Sequence, residues 1–214
     1  MFSQIANLPS ALKQYGIITG NYWAFTLTDG ALRMLVVLYF HQLGYGALAI
    51  AMLFVFYELF GVITNLIGGW LGAHLGLNKT MNIGLGLQVV ALAMLCAPSD
   101  WLSVSYVMLA QALSGVAKDL NKMSAKSAIK YLVPEGDNQQ SQLYKWIAIL
   151  TGSKNALKGV GFFLGGLLLT LLGFVGALVA LIMLLTIAWI ISLVYLEGDI
   201  GKAKNKPKFK ALLS

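Results

Sequence analysis

The sequence predicts an all-α membrane protein whose six transmembrane helices form a 3+3 inverted repeat, and three observations carry that prediction. First, 58% of the 214 residues are hydrophobic and only 11% are charged, and the mean hydropathy is +0.77, beyond the range of soluble domains. Second, apolar runs at 15–40, 47–73, 80–97, 102–123, 143–172 and 174–196 each approach or exceed the roughly 20 residues a spanning helix needs. Third, charges inside these runs recur with a period of three: runs 1 and 2 carry them and run 3 does not, then runs 4 and 5 carry them and run 6 does not. Such a recurrence is the expected trace of two three-helix units of opposite orientation.

Residues 1–14 hold Lys13 and lack an apolar core followed by a small-residue cleavage site, so a cytoplasmic N-terminus is expected and a removable signal peptide is not. Run 1 places Asp29 and Arg33 four apart on one helix face, with Asn21 and Phe25 extending that stripe. Run 2 carries Glu58, with Asn65 nearly on the same face, and is followed by Lys79. Run 3 is uncharged. Run 4 lines up Gln111, Ser114, Lys118 and Lys122 beside Asp119 and Asn121, and Lys126, Lys130 and Lys145 precede the body of run 5. Run 5 holds Thr151, Ser153, Lys154, Asn155 and Lys158, and its Gly152, Gly161, Gly165 and Gly166 suit close helix packing. After run 6, residues 197–214 form a tail with Lys202, Lys204, Lys206, Lys208 and Lys210.

Lysine placement sets the topology. The intervening segments near 41–46, 97–101 and 173 contain no Lys or Arg, so the lysine-bearing segments and both termini belong on the cytoplasmic side. All four prolines, Pro9, Pro98, Pro134 and Pro207, lie outside the runs and spare their backbone hydrogen bonds. Spans 3 and 6 would then face lipid, and spans 1, 2, 4 and 5 would share a polar cavity. The net charge of +7 and pI near 9.5 come from these flanks, which argues against a nucleic-acid partner. A single cysteine, Cys96, excludes an internal disulfide and CxxC chemistry; His41 and His74 fall at opposite faces. With no Ser-His-Asp set, HExxH or phosphate-binding glycine loop, the sequence supports no enzyme, metal or cofactor.

Ammonium groups at membrane depth cost about 2.5–3.5 kcal/mol each unless solvated or paired. Lys154 and Lys158, one turn apart beside hydroxyl and amide donors, therefore form either a site for a multiply charged anion or a pair snorkelling to headgroups. Lys118 and Lys122 present the same alternatives, while Lys126 and Lys130 read as a solvated, lipid-anchoring face. Asp29 with Arg33 is either a structural or a functional pair, and Glu58 either partners Arg33 or carries a proton. Asp119 is a further candidate for an ion pair or proton coupling.

Two patterns resemble the major facilitator superfamily. Residues 69–79, GWLGAHLGLNK, are similar to the family's GxLxDRxGRK loop, with Ala73 and His74 in place of its Asp and Arg. Gly152, Gly161 and Gly165 match the glycine spacing of its antiporter motif, with Gly166 at the proline position. Longer strings at 20–33, 117–126 and 150–159 resemble the organoarsenical efflux permeases of the ArsJ type, over nearly the whole chain.

That resemblance implies the N-terminal half of a major-facilitator-type exporter in the bacterial inner membrane, which confers arsenate resistance by alternating access. The implied substrate is 1-arseno-3-phosphoglycerate, supplied by a partner glyceraldehyde-3-phosphate dehydrogenase. A second six-helix half is implied, encoded downstream or on a separate chain. On this reading Arg33, Lys154, Asn155, Lys158 and Asn21 contact the anion, and Lys118 and Lys122 form the cytoplasmic mouth. The alternatives are an exporter of another organophosphate anion and a non-transporting membrane scaffold.

Overall fold

The computed structural model describes residues 10–133, 138–196 and 200–203. Among these residues the chain is helical without strands: α1 (Ser10–Gln42), α2 (Ala47–Met52), α3 (Val55–Leu75), α4 (Leu77–Leu95), a short 3-10 turn (Ser99–Trp101), α5 (Val104–Leu132) and α6 (Gln139–Tyr195). Pro9, Pro134, Pro207 and the tail lysines Lys204, Lys206, Lys208 and Lys210 lie outside the described residues, as do most of the expected N-terminal segment and tail.

The boundaries depart from the apolar runs in two informative places. The run at 47–73 is divided into α2 and α3 by a turn at residues 53–54. α5 continues well past the apolar run to Leu132, which puts Lys126 and Lys130 on helix. Among the described residues three stretches combine the length and apolarity to cross a membrane, Ser10–Gln42, Ala47–Leu75 and Gln139–Tyr195. The runs at 80–97 and 102–123 form α4 and α5, but both helices bury many polar side chains, among them Asn78, Thr80, Gln88, Gln111, Ser114 and Asn121.

α6 is a helical hairpin. Gly173 adopts φ 70° and ψ −179°, a conformation open at low cost only to glycine, and the helix direction reverses there. The first arm follows α1 in parallel: Tyr15 stacks on Trp146 at 4.4 Å, and Gly30 abuts Gly161 farther along. At the turn Tyr39 stacks on Phe174 at 3.9 Å, and the second arm returns until the Tyr195 carbonyl accepts from Gln14 Nε2 at 2.9 Å.

Lipid offers apolar side chains no reason to leave it, so close backbone approach and polar contacts must hold such helices together. α1 against α6 is the most extensive helix contact, followed by α4 and α3 against α5. A Cβ on Gly30 would stand 2.8 Å from the Lys158 carbonyl oxygen, and one on Gly165 would meet the Ala31 backbone. On the other side, Gly115 of α5 faces the Tyr57 backbone of α3 in the same way. Gly152, expected to pack, meets nothing within 4 Å. Between α4 and α5, Ser114 Oγ donates to Gln88 Oε1 at 2.7 Å, so α4 turns its polar residues inward.

Two apolar clusters result. One joins Tyr15, Ile18 and Tyr22 to Met81, Ile129 and Leu150; the larger joins Phe25, Leu32, Leu35 and Phe40 to Leu85, Leu92, Val107 and Leu178. Residues 200–203 return to the α3–α4 junction, where the Leu77 N–H donates to the Ile200 carbonyl at 2.8 Å and the Ala203 N–H to that of Ala73 at 2.9 Å. Large side chains such as Leu66 (72% exposed) and Phe163 (80%) remain uncovered on α3 and α6, an outer surface suited to lipid.

Candidate functional site

A cavity of about 200 Å³ opens where the clusters meet, since Tyr22 of one and Phe25 of the other both line it. α1 contributes Tyr22, Phe25, Thr26, Asp29 and Arg33; α3 contributes Glu58; α5 contributes Lys118, Asn121 and Lys122; the first arm of α6 contributes Lys154 and Lys158. The α1 residues follow helical spacing, so one face of that helix is polar while its neighbours pack. The glycine contacts set the depth of the others. The Lys158 carbonyl lies against Gly30, which brings the Lys158 turn beside Asp29, and Gly61 leaves room for the Asp119 carboxylate and the Lys118 ammonium.

Tyr57, which is 0% exposed, does not line the cavity but touches several of the side chains that do. Its ring is within cation–π reach of two cations: Arg33 Cζ is 4.0 Å and Lys118 Nζ 4.3 Å from the centroid, favourable distances for the negative π system. Its hydroxyl donates to Asp29 Oδ1 at 2.6 Å. Around it runs a chain of ion pairs. Arg33 Nη2 donates to Glu58 Oε1 at 2.9 Å and Arg33 Nε is 3.9 Å from Asp29 Oδ2. Lys118 Nζ lies 3.5 Å from Glu58 Oε2 and 3.6 Å from Asp119 Oδ2, and Lys122 Nζ lies 3.7 Å from Asp119 Oδ1.

Lys154 and Lys158 differ from the other cations. Neither has a carboxylate within 4 Å among the described residues, and both are half-buried. Lys158 Nζ has the Phe162 ring 5.7 Å away. Five cations thus meet three carboxylates, and the two in excess sit on one turn of α6. Such a chamber can neutralise an oxyanion stripped of part of its hydration. Among the described residues no cluster of His, Cys, Asp and Glu has the makings of a metal site.

Of the residues singled out in the sequence, Arg33, Asp29, Glu58, Lys118, Lys122, Lys154 and Lys158 line the cavity, and Asp119 braces two of its lysines. Asn155 and Asn21 do not join them. Asn155, one residue past Lys154, is exposed because a step of one residue swings about a quarter turn around the helix. Asn21 is buried one position away from Tyr22, outside the lining. Tyr57, Tyr22 and Thr26 were missed. Tyr22 and Thr26 were detectable as the spacing 22, 26, 29, 33 on α1, whereas Tyr57 had no signal beyond standing next to Glu58.

The comparisons agree with this architecture. A POT family transporter solved in complex with 5-aminolevulinic acid superposes with a TM-score of 0.75 at 15% identity, over 92% of this chain and 41% of that one. An auto-inhibited POT family peptide transporter superposes with a TM-score of 0.69 at 19% identity, over 92% of this chain and 39% of that one. The chain therefore spans about two fifths of the length of these transporters, and at such identity the likeness is one of fold. No curated protein matches it. The family model for the Major Facilitator Superfamily matches residues 18–213, and with nearly the whole chain covered, this multi-pass membrane protein belongs to that superfamily.

Proposed function

We propose that the chain is the six-span, 3+3 half of an exporter in the bacterial inner membrane, with both termini cytoplasmic, that carries a small, multiply charged oxyanion by alternating access. The observation that carries the proposal is that, among the described residues, Lys154 and Lys158 have no carboxylate partner in a cavity whose other cations all have one. Two half-buried ammonium groups without counter-ions are costly at rest, and an anionic ligand removes that cost. Arg33 completes the anion's surroundings from α1, and Lys118 and Lys122 lead toward the cytoplasmic mouth.

The substrate proposed is 1-arseno-3-phosphoglycerate, produced by a glyceraldehyde-3-phosphate dehydrogenase partner and exported together with a second six-helix half. A phosphate ester of similar charge is the second reading, because cations alone do not separate arsenate from phosphate esters. The test uses arsenic-sensitive cells that express the assembled transporter with and without the dehydrogenase. Arsenate resistance that needs both proteins supports the organoarsenical. Export of 3-phosphoglycerate by everted vesicles, with no gain in resistance, moves the substrate to a phosphate ester. Failure of both removes the reading. For topology, a reporter fused at Asp100 should read the periplasmic side, and a cytoplasmic signal there would overturn the orientation.

A further inference from the structure

The three carboxylates of the site have unequal exposure. The side chains of Asp29 and Asp119 are each 8% exposed, and each is held by its surroundings: Asp29 by Tyr57 and Arg33, Asp119 by Lys118 and Lys122. The Glu58 side chain is 60% exposed, yet it is the carboxylate that bridges two cations from different helices, Arg33 of α1 and Lys118 of α5. An ion pair with so exposed a carboxylate is not buried in the packing that holds the helices together. Its geometry is that of a bound anion: one oxygen toward a guanidinium at 2.9 Å, the other toward an ammonium at 3.5 Å.

We propose that Arg33 and Lys118 form a second anion seat, that Glu58 is its tethered occupant, and that a ligand with two separate anionic groups displaces Glu58 on binding. One group would sit at Lys154 and Lys158, the other between Arg33 and Lys118. This rests on the oxyanion reading of the cavity and narrows the ligand class to molecules with an anionic group at each end. The exchange is nearly balanced. Each cation trades one oxyanion for another, and the released Glu58 is a side chain already 60% exposed, so it leaves no buried pocket behind. The seat keeps its shape meanwhile, because Asp29 and Asp119 still hold Arg33 and Lys118, each within 4.3 Å of the Tyr57 ring centre. A ligand with one anionic group gains little by evicting a carboxylate whose tether gives it a high local concentration. Glu58 would thus make the site selective for two-headed anions.

The experiment titrates the assembled transporter in neutral phosphatidylcholine nanodiscs with methylphosphonate, which has one anionic group, and with 3-phosphoglycerate, which has two. Wild type should bind one equivalent of methylphosphonate per chain. Glu58→Gln should bind two, and its affinity for 3-phosphoglycerate should rise about tenfold, because no tethered competitor has to leave. Glu58→Asp keeps the charge on a shorter stalk that reaches one cation only. It should gain a second, weaker equivalent, and it serves if the Gln variant fails to assemble. One equivalent of methylphosphonate and wild-type affinity for 3-phosphoglycerate in these variants would make Glu58 a structural strut and overturn the inference. The parent reading has a separate control: Lys154→Gln/Lys158→Gln should lose the first equivalent, and if that equivalent persists, the oxyanion reading itself fails.

Discussion

α5 and α6 each present two lysines four residues apart to the same cavity, Lys118 with Lys122 and Lys154 with Lys158, and their surroundings are opposite. On α5, Asp119 lies within 3.7 Å of both ammonium groups, and Glu58 reaches Lys118 from α3. On α6 the neighbours are Ser153, whose hydroxyl bonds back to the Ile149 carbonyl at 2.7 Å, and Phe162 beside Lys158. Spacing alone therefore does not make a ligand site. A lysine beside a buried carboxylate, as Lys118 and Lys122 are beside Asp119, is held in place and partly neutralised, and a lysine without one among the described residues carries its full charge into the cavity.

The largest expected effect breaks the α6 pair. A charge-assisted hydrogen bond contributes roughly 1.5–3 kcal/mol, so losing one lysine should weaken anion binding about tenfold to a hundredfold. Lys154→Gln/Lys158→Gln should abolish vesicle export while membrane abundance and thermal stability stay at wild-type levels. Normal export in the double variant would show that these lysines only reach for headgroups and would erase the contrast between the helices.

The next effect falls on the α5 pair and is read as stability. Asp119→Asn leaves Lys118 and Lys122 without their buried counter-ion, and because their side chains are 22% and 37% exposed, water compensates for part of the loss. We expect a cost of about 1–3 kcal/mol, measured as a lower unfolding midpoint in nanodiscs. If Asp119→Asn were as stable as wild type, Asp119 would not be bracing these lysines, and the two pairs would be equivalent.

How much of this contrast was legible in the sequence depends on how local each feature is. Asp29 with Arg33, and Lys154 with Lys158, are set by helical spacing on single helices, so their alignment could be read from residue numbers. Direction around a helix was less legible: Asn155 follows Lys154 and points elsewhere, and Asn21 stands one place off the lining stripe. Tyr57 was invisible because its role exists only where α1 and α5 bring Arg33 and Lys118 to its ring. The same holds for Gly30 and Gly115, whose partners are backbone atoms of distant helices, whereas Gly161 and Gly165 read as packing glycines in the sequence and do meet the α1 backbone. Gly173 lay at the expected break between runs 5 and 6, but that it closes α6 into a hairpin along α1 follows from the contacts of Phe174 and Tyr195.

Tyr57→Phe sharpens the comparison at its centre. The ring beside the cations stays, and the hydroxyl that holds Asp29 goes. One hydrogen bond to a charged, buried acceptor is at stake, about 1.5–3 kcal/mol at most, and Arg33 remains near Asp29 to recover part of it. A loss near 1 kcal/mol in stability is expected, with export reduced less than threefold. If export fell as far as in the Lys154→Gln/Lys158→Gln variant, Asp29 would have to act in the transport cycle itself, and proton coupling through it would become the better account.

The smallest effect tests where the site ends. Lys126 and Lys130 continue the α5 face by one and two further turns, Lys126 half-buried and Lys130 exposed, and neither lines the cavity. Charges that water reaches are screened over about 8 Å at physiological ionic strength, so they act on an approaching anion and hardly on a bound one. Lys126→Gln/Lys130→Gln should change export less than twofold at that ionic strength, and the loss should grow as salt is lowered, since steering strengthens when screening weakens. A tenfold loss that does not depend on salt would mean that the anion touches these lysines directly. The α5 face would then be a binding track from the Lys130 end inward, and the division between a braced pair on α5 and a free pair on α6 would have to be redrawn along the length of α5.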